Sequence, residues 1–344
     1  MRIFLNLKFI FFLYLLFLAA YIGYGHVKEL LEPVSDQTVY TIIEIPKGSS
    51  FRQVAKLLEK KGLIRSKEVF WVLAWYRKEA ELIKAGEYKL SPSMKPQKIL
   101  EILVSGQVVQ HLITIPEGYN MFQIADLLQR AGLVSKGDFL STCTDRKFLS
   151  KLGINWEESA EGYLFPDSYF LPKGVTAKDI VKNFVSRFWD VWKGHDFDKR
   201  IKELGITIHQ VVTLASIIEL EAAVQEEKPI IASVFWNRLK RGMPLQADPT
   251  VKYGIMVERK IKKKRLTWKD LRKATPFNTY TRYGLPKGPI CNPGIVSLRA
   301  VLYPRETKYL YFVSKGNRTH YFSRSLKEHN RAVRKYILHK RSGR

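Results

Sequence analysis

One carboxylate stands out because of the residues around it in the sequence. Glu219 lies in the segment Val211–Ala223, VVTLASIIELEAA, the most apolar helix candidate outside the N-terminus. At 100° per residue, apolar side chains cover nearly every direction of this helix, which predicts that it is buried. A carboxyl group in apolar surroundings loses solvation of its charged form, and this raises its pKa. Glu219 is therefore predicted to remain protonated near neutral pH and to act as a general acid and base, as glycosidic bond cleavage requires.

A purely structural role for Glu219 is also open. A buried glutamate can instead be paired with a lysine or arginine, and Arg238 is the candidate partner. Glu221 follows two residues later, about 200° around the helix, so the two carboxylates are not expected to form one site. On this interpretation Glu221 tolerates replacement better than Glu219.

Polar and aromatic residues in two later segments suit a sugar ligand. Residues 233–239 continue as a helix that stops near Gly242, and residues 245–254 are predicted to form a turn. Sugar rings stack on aromatic faces, while amide side chains donate to and accept from hydroxyl and acetamido groups. The predicted substrate-binding residues are Gln246, Asp248, Tyr253, Asn278 and Tyr280.

The composition limits the classes of partner that the chain is expected to bind. Its 344 residues carry a formal charge of +26, which indicates nucleic acid, an anionic membrane surface or an acidic polymer. The only cysteines, Cys143 and Cys291, exclude a disulfide framework and a cysteine-based zinc site, although one bridge between them stays possible. The histidines show no ligand spacing, so no metal and no cofactor are predicted.

The N-terminus predicts a membrane anchor. Residues 9–25 form an uncharged apolar run, long enough to come close to spanning a hydrocarbon core of about 30 Å. Arg2 and Lys8 precede the run, so residues 1–8 should stay cytoplasmic while the rest is translocated to the extracytoplasmic side. A cleaved signal peptide is the alternative. With this topology nucleic acid is not an expected partner, and the basic C-terminus could bind anionic lipid or teichoic polymers: Arg331, Arg334, Lys335, Lys340, Arg341, Arg344.

A repeat with an offset of 70 residues organises the first half of the chain. The segment I-E-I-P-K-G at 43–48 recurs as I-T-I-P-E-G at 113–118, and the match continues in register to Leu63 and Leu133. Each copy is predicted to be a strand, a turn and an amphipathic helix ended by glycine. Helices are also predicted at Pro96–Ser105 and Ala177–Gly194, and a strand at Ala85–Leu90. Two copies are too few for a solenoid, so they are interpreted as small α+β modules.

Several blocks together resemble the endolytic murein transglycosylase family, MltG or YceG-like. The resemblance rests on E-G-Y-L-F-P-D-S-Y at 161–169, L-A-S-I-I-E at 214–219, A-S-V-F-W-N-R-L at 232–239, L-Q-A-D-P-T-V-K-Y-G at 245–254, F-N-T-Y-T at 277–281, G-L-P-x-G-P-I-x-N-P-G at 284–294 and Y-L-Y-F-V at 309–313. One departure is the strongly basic segment 259–265, which concerns only the local surface.

The resemblance implies an α+β protein with an N-terminal transmembrane helix, a membrane-proximal LysM-like module and a C-terminal mixed α/β catalytic domain. We expect a tail at 1–8, an anchor at 9–25, the LysM-like module at 38–110, the second copy with a connecting region at 111–205, and the catalytic domain at 206–344. The family's catalytic glutamate falls on Glu219. Partners would be peptidoglycan strands, the cytoplasmic membrane and peptidoglycan synthases.

The reaction expected from the resemblance is non-hydrolytic cleavage of the MurNAc–GlcNAc β-1,4 bond of nascent strands, which leaves 1,6-anhydroMurNAc ends and terminates strand elongation. One carboxylate suffices if the C6 hydroxyl of the sugar is the nucleophile, whereas most glycoside hydrolases need two. Three alternatives remain: a non-catalytic membrane-tethered peptidoglycan-binding protein, a hydrolase that uses water, and, from charge alone, a nucleic-acid binder. Endolytic action follows from the resemblance alone.

Overall fold

The computed structural model describes residues 2–156 and 158–338, with side chains from residue 9 onward. Lys340, Arg341 and Arg344 of the predicted basic C-terminus lie outside these residues. The chain forms two compact units: unit 1 comprises Met1–His111 with Phe170–Gly174, and unit 2 comprises Leu112–Tyr169 with Val175–Arg344.

Unit 1 begins with one long helix. Its elements are α1 (Arg2–Leu30), β1 (Thr41–Ile45), α2 (Phe51–Lys60), α3 (Lys67–Tyr76), β2 (Gly86–Leu90) and α4 (Pro96–Ser105). Helix α1 contains the predicted anchor, and its segment Phe9–Leu30 is long and apolar enough to cross a membrane. The helix includes the predicted tail from Arg2 and runs past Gly25, so it is longer at both ends than the predicted span.

The core of unit 1 lies between a two-stranded sheet and its helices. Strand β1 pairs antiparallel with β2, from Thr41 opposite Leu90 to Ile45 opposite Gly86. Ile43 and Ile45 point inward from β1 with less than a tenth of their surface exposed, as alternation along a strand requires. They join the buried faces of α2, α3 and α4 in one apolar cluster.

Unit 2 is largely helical. Its elements are β3 (Gln110–Thr114, which begins in unit 1), α5 (Met121–Arg130), α6 (Lys136–Thr142), α7 (Arg146–Lys151), β4 (Ser168–Pro172, which ends in unit 1), α8 (Ala177–Gly194), α9 (Phe197–Leu204), α10 (Ile208–Glu221), α11 (Lys228–Lys240), α12 (Asp248–Arg259), α13 (Trp268–Leu271), α14 (Ile295–Leu302), β5 (Tyr311–Ser314), β6 (His320–Ser323) and α15 (Leu326–Val333). Strand β3 pairs with β4, and β5 pairs antiparallel with β6.

The repeat predicted from the sequence corresponds to matching local structure. Helices α2 and α5 each follow a strand and a turn, and each begins with a capping box. Ser50 with Gln53, and Asn120 with Gln123, satisfy the backbone N–H groups that the first turn of a helix leaves unpaired. The same local chemistry therefore starts both helices, although they belong to different units.

Helix α10 forms the centre of unit 2. Every residue from Val211 to Ile218 is buried, which confirms the buried helix predicted from its apolar circumference. It packs against α11, α12 and α14. One local prediction is wrong: residues 248–254 are helical rather than a turn, because Asp248 and Pro249 start α12. Proline is favoured in the first helical turn, where its missing N–H would have had no partner anyway.

Candidate active site

A cleft opens at the C-terminal end of α10. It has a volume of about 320 Å³. Four of its walls are the end of α10, the segment before α12, strand β5 and helix α15. The residues that line it are Glu221, Arg238, Leu245, Gln246, Asp248, Tyr280, Tyr311, Phe312, Leu326 and His329.

The carboxyl group in this cleft belongs to Glu221. Glu221 is the last residue of α10, where the buried helix reaches the cleft. Burial raises its pKa to about 7, and the nearby carboxylate of Asp248 acts in the same direction, against the cations of Lys252 and Arg238. A carboxyl with this pKa is present in both protonated and ionised forms near neutral pH, as a group must be that first gives and then takes a proton.

Asp248 and Tyr280 join two segments that are distant in sequence. The Tyr280 hydroxyl donates to Asp248 Oδ1 at 2.7 Å. Burial and the adjacent Asp248 carboxylate both raise the pKa of Tyr280, which keeps its hydroxyl protonated. Beside them, the Gln246 N–H donates to the carbonyl of Thr279 at 3.0 Å. The predicted sugar-binding residues Gln246, Asp248 and Tyr280 therefore lie in one cleft.

Arg238 holds two walls of the cleft together. Its Nε donates to the carbonyl of Leu310 at 2.7 Å and its Nη1 to that of Leu245 at 2.7 Å. The guanidinium also lies over the ring of Tyr311, 5.2 Å from the ring centroid. The alternative of a buried Glu219 paired with a cation is borne out, but the partner is Lys228. Arg238, the candidate partner, instead binds backbone carbonyls and faces the cleft of Glu221.

His329, on α15, contributes a buried ring nitrogen to the wall of the cleft. Its ring stacks on Tyr311 with centroids 5.3 Å apart. Its Nδ1 is buried and has no hydrogen-bond partner among residues 2–156 and 158–338. Burial and then the cation of Arg238 lower the pKa of His329, so the ring is neutral near pH 7 and offers one donor and one acceptor.

Glu219 lies outside this cleft, in surroundings unlike those predicted. Its side chain is 7% exposed and its Oε1 accepts from Lys228 Nζ at 2.8 Å. Its Oε2 accepts from the Gly294 N–H at 3.0 Å and from Ser297 Oγ at 2.6 Å, at the N-terminus of α14. The expected apolar pocket is therefore wrong, because a cation, a backbone N–H at the start of a helix and a hydroxyl contact the carboxylate.

A second carboxylate, Glu117, adjoins this ion pair. Glu117 Oε2 lies 3.8 Å from Lys228 Nζ. Burial and the charge of Glu219 raise the pKa of Glu117, while Lys228 opposes them. Glu117 belongs to the second I-x-I-P-x-G segment of the repeat. The Pro116–Gly118 turn is thus fixed beside α10 by charge as well as by packing.

Two of the predicted sugar-binding residues have structural contacts instead. Tyr253 is 6% exposed, and its hydroxyl donates to the buried carboxyl of Glu161 at 2.8 Å. Asn278 is fully buried; its Nδ2 donates to the carbonyls of Leu271 and Lys273, and its Oδ1 accepts the Tyr280 N–H. Asn278 therefore shapes the loop that carries Tyr280 and does not line the cleft.

Glu221, Arg238, Tyr311 and His329 are the cleft residues that sequence reasoning did not select. The missed signal for Glu221 was its place at the end of an apolar helix. In a helix that is apolar all round, no single face distinguishes a functional carboxylate, whereas the end of the helix is where it meets solvent. Within the described residues, no group of three or more His, Cys, Asp or Glu side chains could hold a metal ion.

The buried helix α10 ends in a cleft carboxyl that amide, carboxylate and aromatic side chains surround, and these are the residue types that suit a sugar ligand. The profile of the YceG-like family matches residues 43–335, and this chain belongs to that family.

Relatives with known names cover most of the chain. A protein of Bacillus subtilis (strain 168) named endolytic murein transglycosylase is 36% identical over 332 residues, 91% of this chain and 89% of the relative. A protein of the same name from Streptococcus pneumoniae (strain D39) is 29% identical over 363 residues, 96% of this chain and 65% of the relative. The crystal structure of a YceG-like protein of Listeria monocytogenes has a TM-score of 0.58 at 34% identity, over 86% of this chain and all of that one.

Proposed function

We propose that this chain is a membrane-anchored endolytic murein transglycosylase that cleaves the MurNAc–GlcNAc β-1,4 bond of peptidoglycan strands. The names of its relatives support the reaction class. The proposal rests above all on Glu221, a carboxyl with a pKa of about 7 in a cleft that also holds Gln246, Asp248 and Tyr280.

In the proposed mechanism Glu221 serves both half-reactions. Its carboxylic acid donates a proton to the glycosidic oxygen as the bond from that oxygen to C1 of the muramyl ring breaks. The resulting carboxylate takes the proton of the C6 hydroxyl of the same ring, and the C6 oxygen bonds to C1. The products are a free GlcNAc hydroxyl and a 1,6-anhydro ring, and Glu221 ends protonated again.

Glu221 replaces Glu219 as the acid/base in this proposal. Both carboxylate oxygens of Glu219 are already bound by donors of the protein, from Lys228, Gly294 and Ser297, and Glu219 does not line the cleft. We assign Glu219, with Lys228, to fixing the last turn of α10. Gln246, Asp248, Tyr280 and His329 are the proposed sugar-positioning residues.

The product distinguishes this reaction from its competitors. Purified glycan strands are incubated with the full chain in detergent, and the released fragments are analysed by mass spectrometry. We expect 1,6-anhydroMurNAc ends and, early in the reaction, long fragments rather than disaccharides. Release of no fragments would identify a binding protein, and early release of disaccharides alone would overturn endolytic cleavage.

A hydrolase is the second candidate, because the cleft holds two carboxyl groups. Glu221 and Asp248 are close enough for the Asp248 charge to raise the pKa of Glu221. Glycoside hydrolases use such a pair, one as acid and the other as base or nucleophile. If Asp248 activates water, the new ends are reducing MurNAc, heavier than the anhydro form by one molecule of water. Asp248→Asn would then abolish cleavage, whereas a positioning role predicts partial loss.

The domain arrangement is part of the proposal. Helix α1 is the proposed single-pass anchor in the cytoplasmic membrane, with residues 1–8 inside and the remainder outside. Residues 38–110 are the proposed LysM-like module. Glu161 of the connecting region binds Met121, Tyr253 and Asn292, which supports assigning the second repeat copy to the catalytic unit instead of a separate 111–205 domain. Synthases that supply nascent strands are the proposed partners. Protease accessibility in spheroplasts tests the orientation.

A further inference from the structure

Helix α3 in unit 1 exposes an aromatic face. Phe70 and Ala74 point into the core, whereas Val72, Trp75 and Tyr76 are 53%, 64% and 79% exposed. Trp71 stacks on Trp75 with centroids 6.5 Å apart. Residues three or four apart on a helix are neighbours, so these side chains form one continuous surface, which we call the α3 aromatic face: Trp71, Val72, Trp75, Tyr76.

A row of cations lies beside this face. Arg52, Lys56 and Lys60 follow one another at intervals of four along α2, and all three are exposed. Helices α2 and α3 pack together, with Phe51 against Phe70. The Arg52 guanidinium lies 5.9 Å from the centroid of the Trp71 ring. The cationic row therefore borders the α3 aromatic face directly.

An apolar groove separates the two helices at the surface. Its volume is about 410 Å³, and it is lined by Arg52, Ala55, Lys56, Lys67, Glu68, Trp71 and Val72. Among the described residues that line it, the one carboxylate, Glu68, pairs with Lys67 at 3.2 Å, so the lining carries an excess of positive charge. Aromatic rings next to lysine and arginine are typical of surfaces that settle at the boundary between lipid headgroups and acyl chains.

The residues that follow α1 are held against the rest of unit 1 by direct contacts. Helix α1 ends at Leu30, and the residues that follow are bound to the rest of unit 1 at once. Glu32 pairs with Lys95 at 3.1 Å, and the Val34 N–H donates to the Pro92 carbonyl at 2.9 Å.

Arg65, just before α3, contacts the segment that follows α1. Its Nη2 donates to the carbonyl of Pro33 at 2.7 Å, and α3 begins only two residues later, at Lys67. Three residues of chain reach at most about 11 Å. The start of α3 is thus held near the end of the apolar helix, with no long flexible linker between them.

We infer that the α3 aromatic face and the cationic row of α2 dock unit 1 on an anionic phospholipid bilayer. The inference rests on the proposed anchoring of the chain by α1. Trp75 and Tyr76 lie at the level of the headgroups, the groove accommodates acyl chain or glycerol backbone, and Arg52, Lys56 and Lys60 contact lipid phosphates. A bilayer is favoured over a sugar strand because the Arg65 contact holds the start of α3 near the end of the apolar helix α1, and because the cations of α2 complement lipid phosphates.

Depth-dependent fluorescence quenching tests the docking. The full chain is labelled with bimane at Tyr76→Cys and reconstituted into vesicles of phosphatidylcholine and phosphatidylglycerol with brominated acyl chains. Both native cysteines are buried, so labelling is specific to the new one. A second labelled variant, Trp268→Cys, provides an exposed reference position in unit 2. Docking predicts that the label at 76 loses most of its emission, and that the label at 268 does not.

The outcomes separate the docking from the anchor. Carbonate extraction shows whether the chain stays in the vesicles. If it stays and the label at 76 is no more quenched than that at 268, the docking is overturned while the anchor stands. If the chain is extracted, both fail. A change in emission at 76 on adding soluble glycan fragments without lipid would identify a sugar surface and also overturn the inference. Reduced quenching of the label at 76 in the double variant Arg52→Gln/Lys56→Gln would support the contacts between the cationic row and lipid phosphates.

Discussion

Glu219 and Glu221 stand two residues apart on α10, yet their carboxyl groups have unlike surroundings. Glu219 accepts hydrogen bonds from Lys228, Gly294 and Ser297. Glu221 faces a cleft in which burial and a neighbouring carboxylate disfavour the charge. The spacing of 200° that separates them on the helix was predicted correctly, but which of the two faces the cleft was not.

Replacing each glutamate by glutamine should separate these roles. Glu221→Gln removes the proton donor and should lower the rate about 10²–10⁴-fold with little change in melting temperature. Glu219→Gln removes the nearer counter-ion of the buried Lys228 and leaves, among the described residues, only Glu117, at 3.8 Å. Breaking a buried ion pair typically costs about 3–5 kcal/mol, so this variant should lose stability. Muropeptide release and thermal unfolding are measured on both variants. A stable but inactive Glu219→Gln beside an active Glu221→Gln would restore the original assignment.

The pH dependence of cleavage should report the Glu221 carboxyl. Proton donation requires the protonated form, and the pKa of Glu221 is about 7. We therefore expect kcat/KM to fall as the pH rises through about 7, since the acid form is progressively lost. Lys252→Met removes a cation that lowers this pKa, so the falling limb should move to higher pH. A limb that stays in place in this variant would argue against Glu221 as the titrating group.

At the scale of elements, the cleft is shaped by loops fixed at the ends of helices. Gln246 has φ +50°, an uncommon backbone conformation for a residue other than glycine, and its N–H is held by Thr279. Asn278 ties the next loop to the carbonyls of residues 271 and 273. Asn278 thus positions Tyr280 without lining the cleft itself, whereas the backbone of Gln246 positions its own side chain in the cleft.

Asn278→Ala tests this support. The substitution leaves two buried carbonyls without a donor and the Tyr280 N–H without its acceptor, at a cost of about 1–3 kcal/mol. Because Tyr280 loses its position, KM should rise more than kcat falls. Urea unfolding and steady-state kinetics measure both effects. Thr281→Ala, in the same loop but with a single 3.3 Å contact from its hydroxyl, is the control and should change neither much.

At the scale of the whole molecule, another buried carboxyl group, that of Glu161, joins distant segments of unit 2. Glu161 is 2% exposed and accepts from the Met121 N–H, Tyr253 and Asn292. Burial raises its pKa to about 7 despite these donors. It connects the second repeat copy to α12 and to the segment before α14, so elements distant in sequence share one hydrogen-bonded centre.

The stability of the molecule should therefore fall as the pH rises from about 4.5 to 7. In this range the folded protein keeps a proton on Glu161 that the unfolded chain releases, so folding binds protons. The effect of Glu161 is on the order of 3 kcal/mol over that range. Buried histidines such as His329 act in the opposite sense, so the difference between wild type and Glu161→Gln isolates the carboxyl. The slope should flatten in Glu161→Gln and persist in the exposed control Glu226→Gln.

The sequence by itself determined the elements and the family. Apolar periodicity and caps placed helices at Pro96–Ser105 and Ala177–Gly194 where the structure has them, because these signals depend on neighbours along the chain. The block pattern predicted the YceG-like family, and the profile match confirms it. The apolar circumference of α10 likewise predicted its burial.

Only the tertiary structure decided which polar groups meet. Glu219 accepts hydrogen bonds from three residues of other elements: Lys228, Gly294 and Ser297. The cleft of Glu221 is likewise lined by residues from three distant segments: Asp248, Tyr280 and His329. The pKa of a carboxyl depends on charges and donors within a few ångströms in space, and sequence spacing carries that information only inside one helix. The proposal of Glu221 as the acid/base rests for this reason on what folds against the end of its helix, whereas the sequence prediction of Glu219 rested on a helical face.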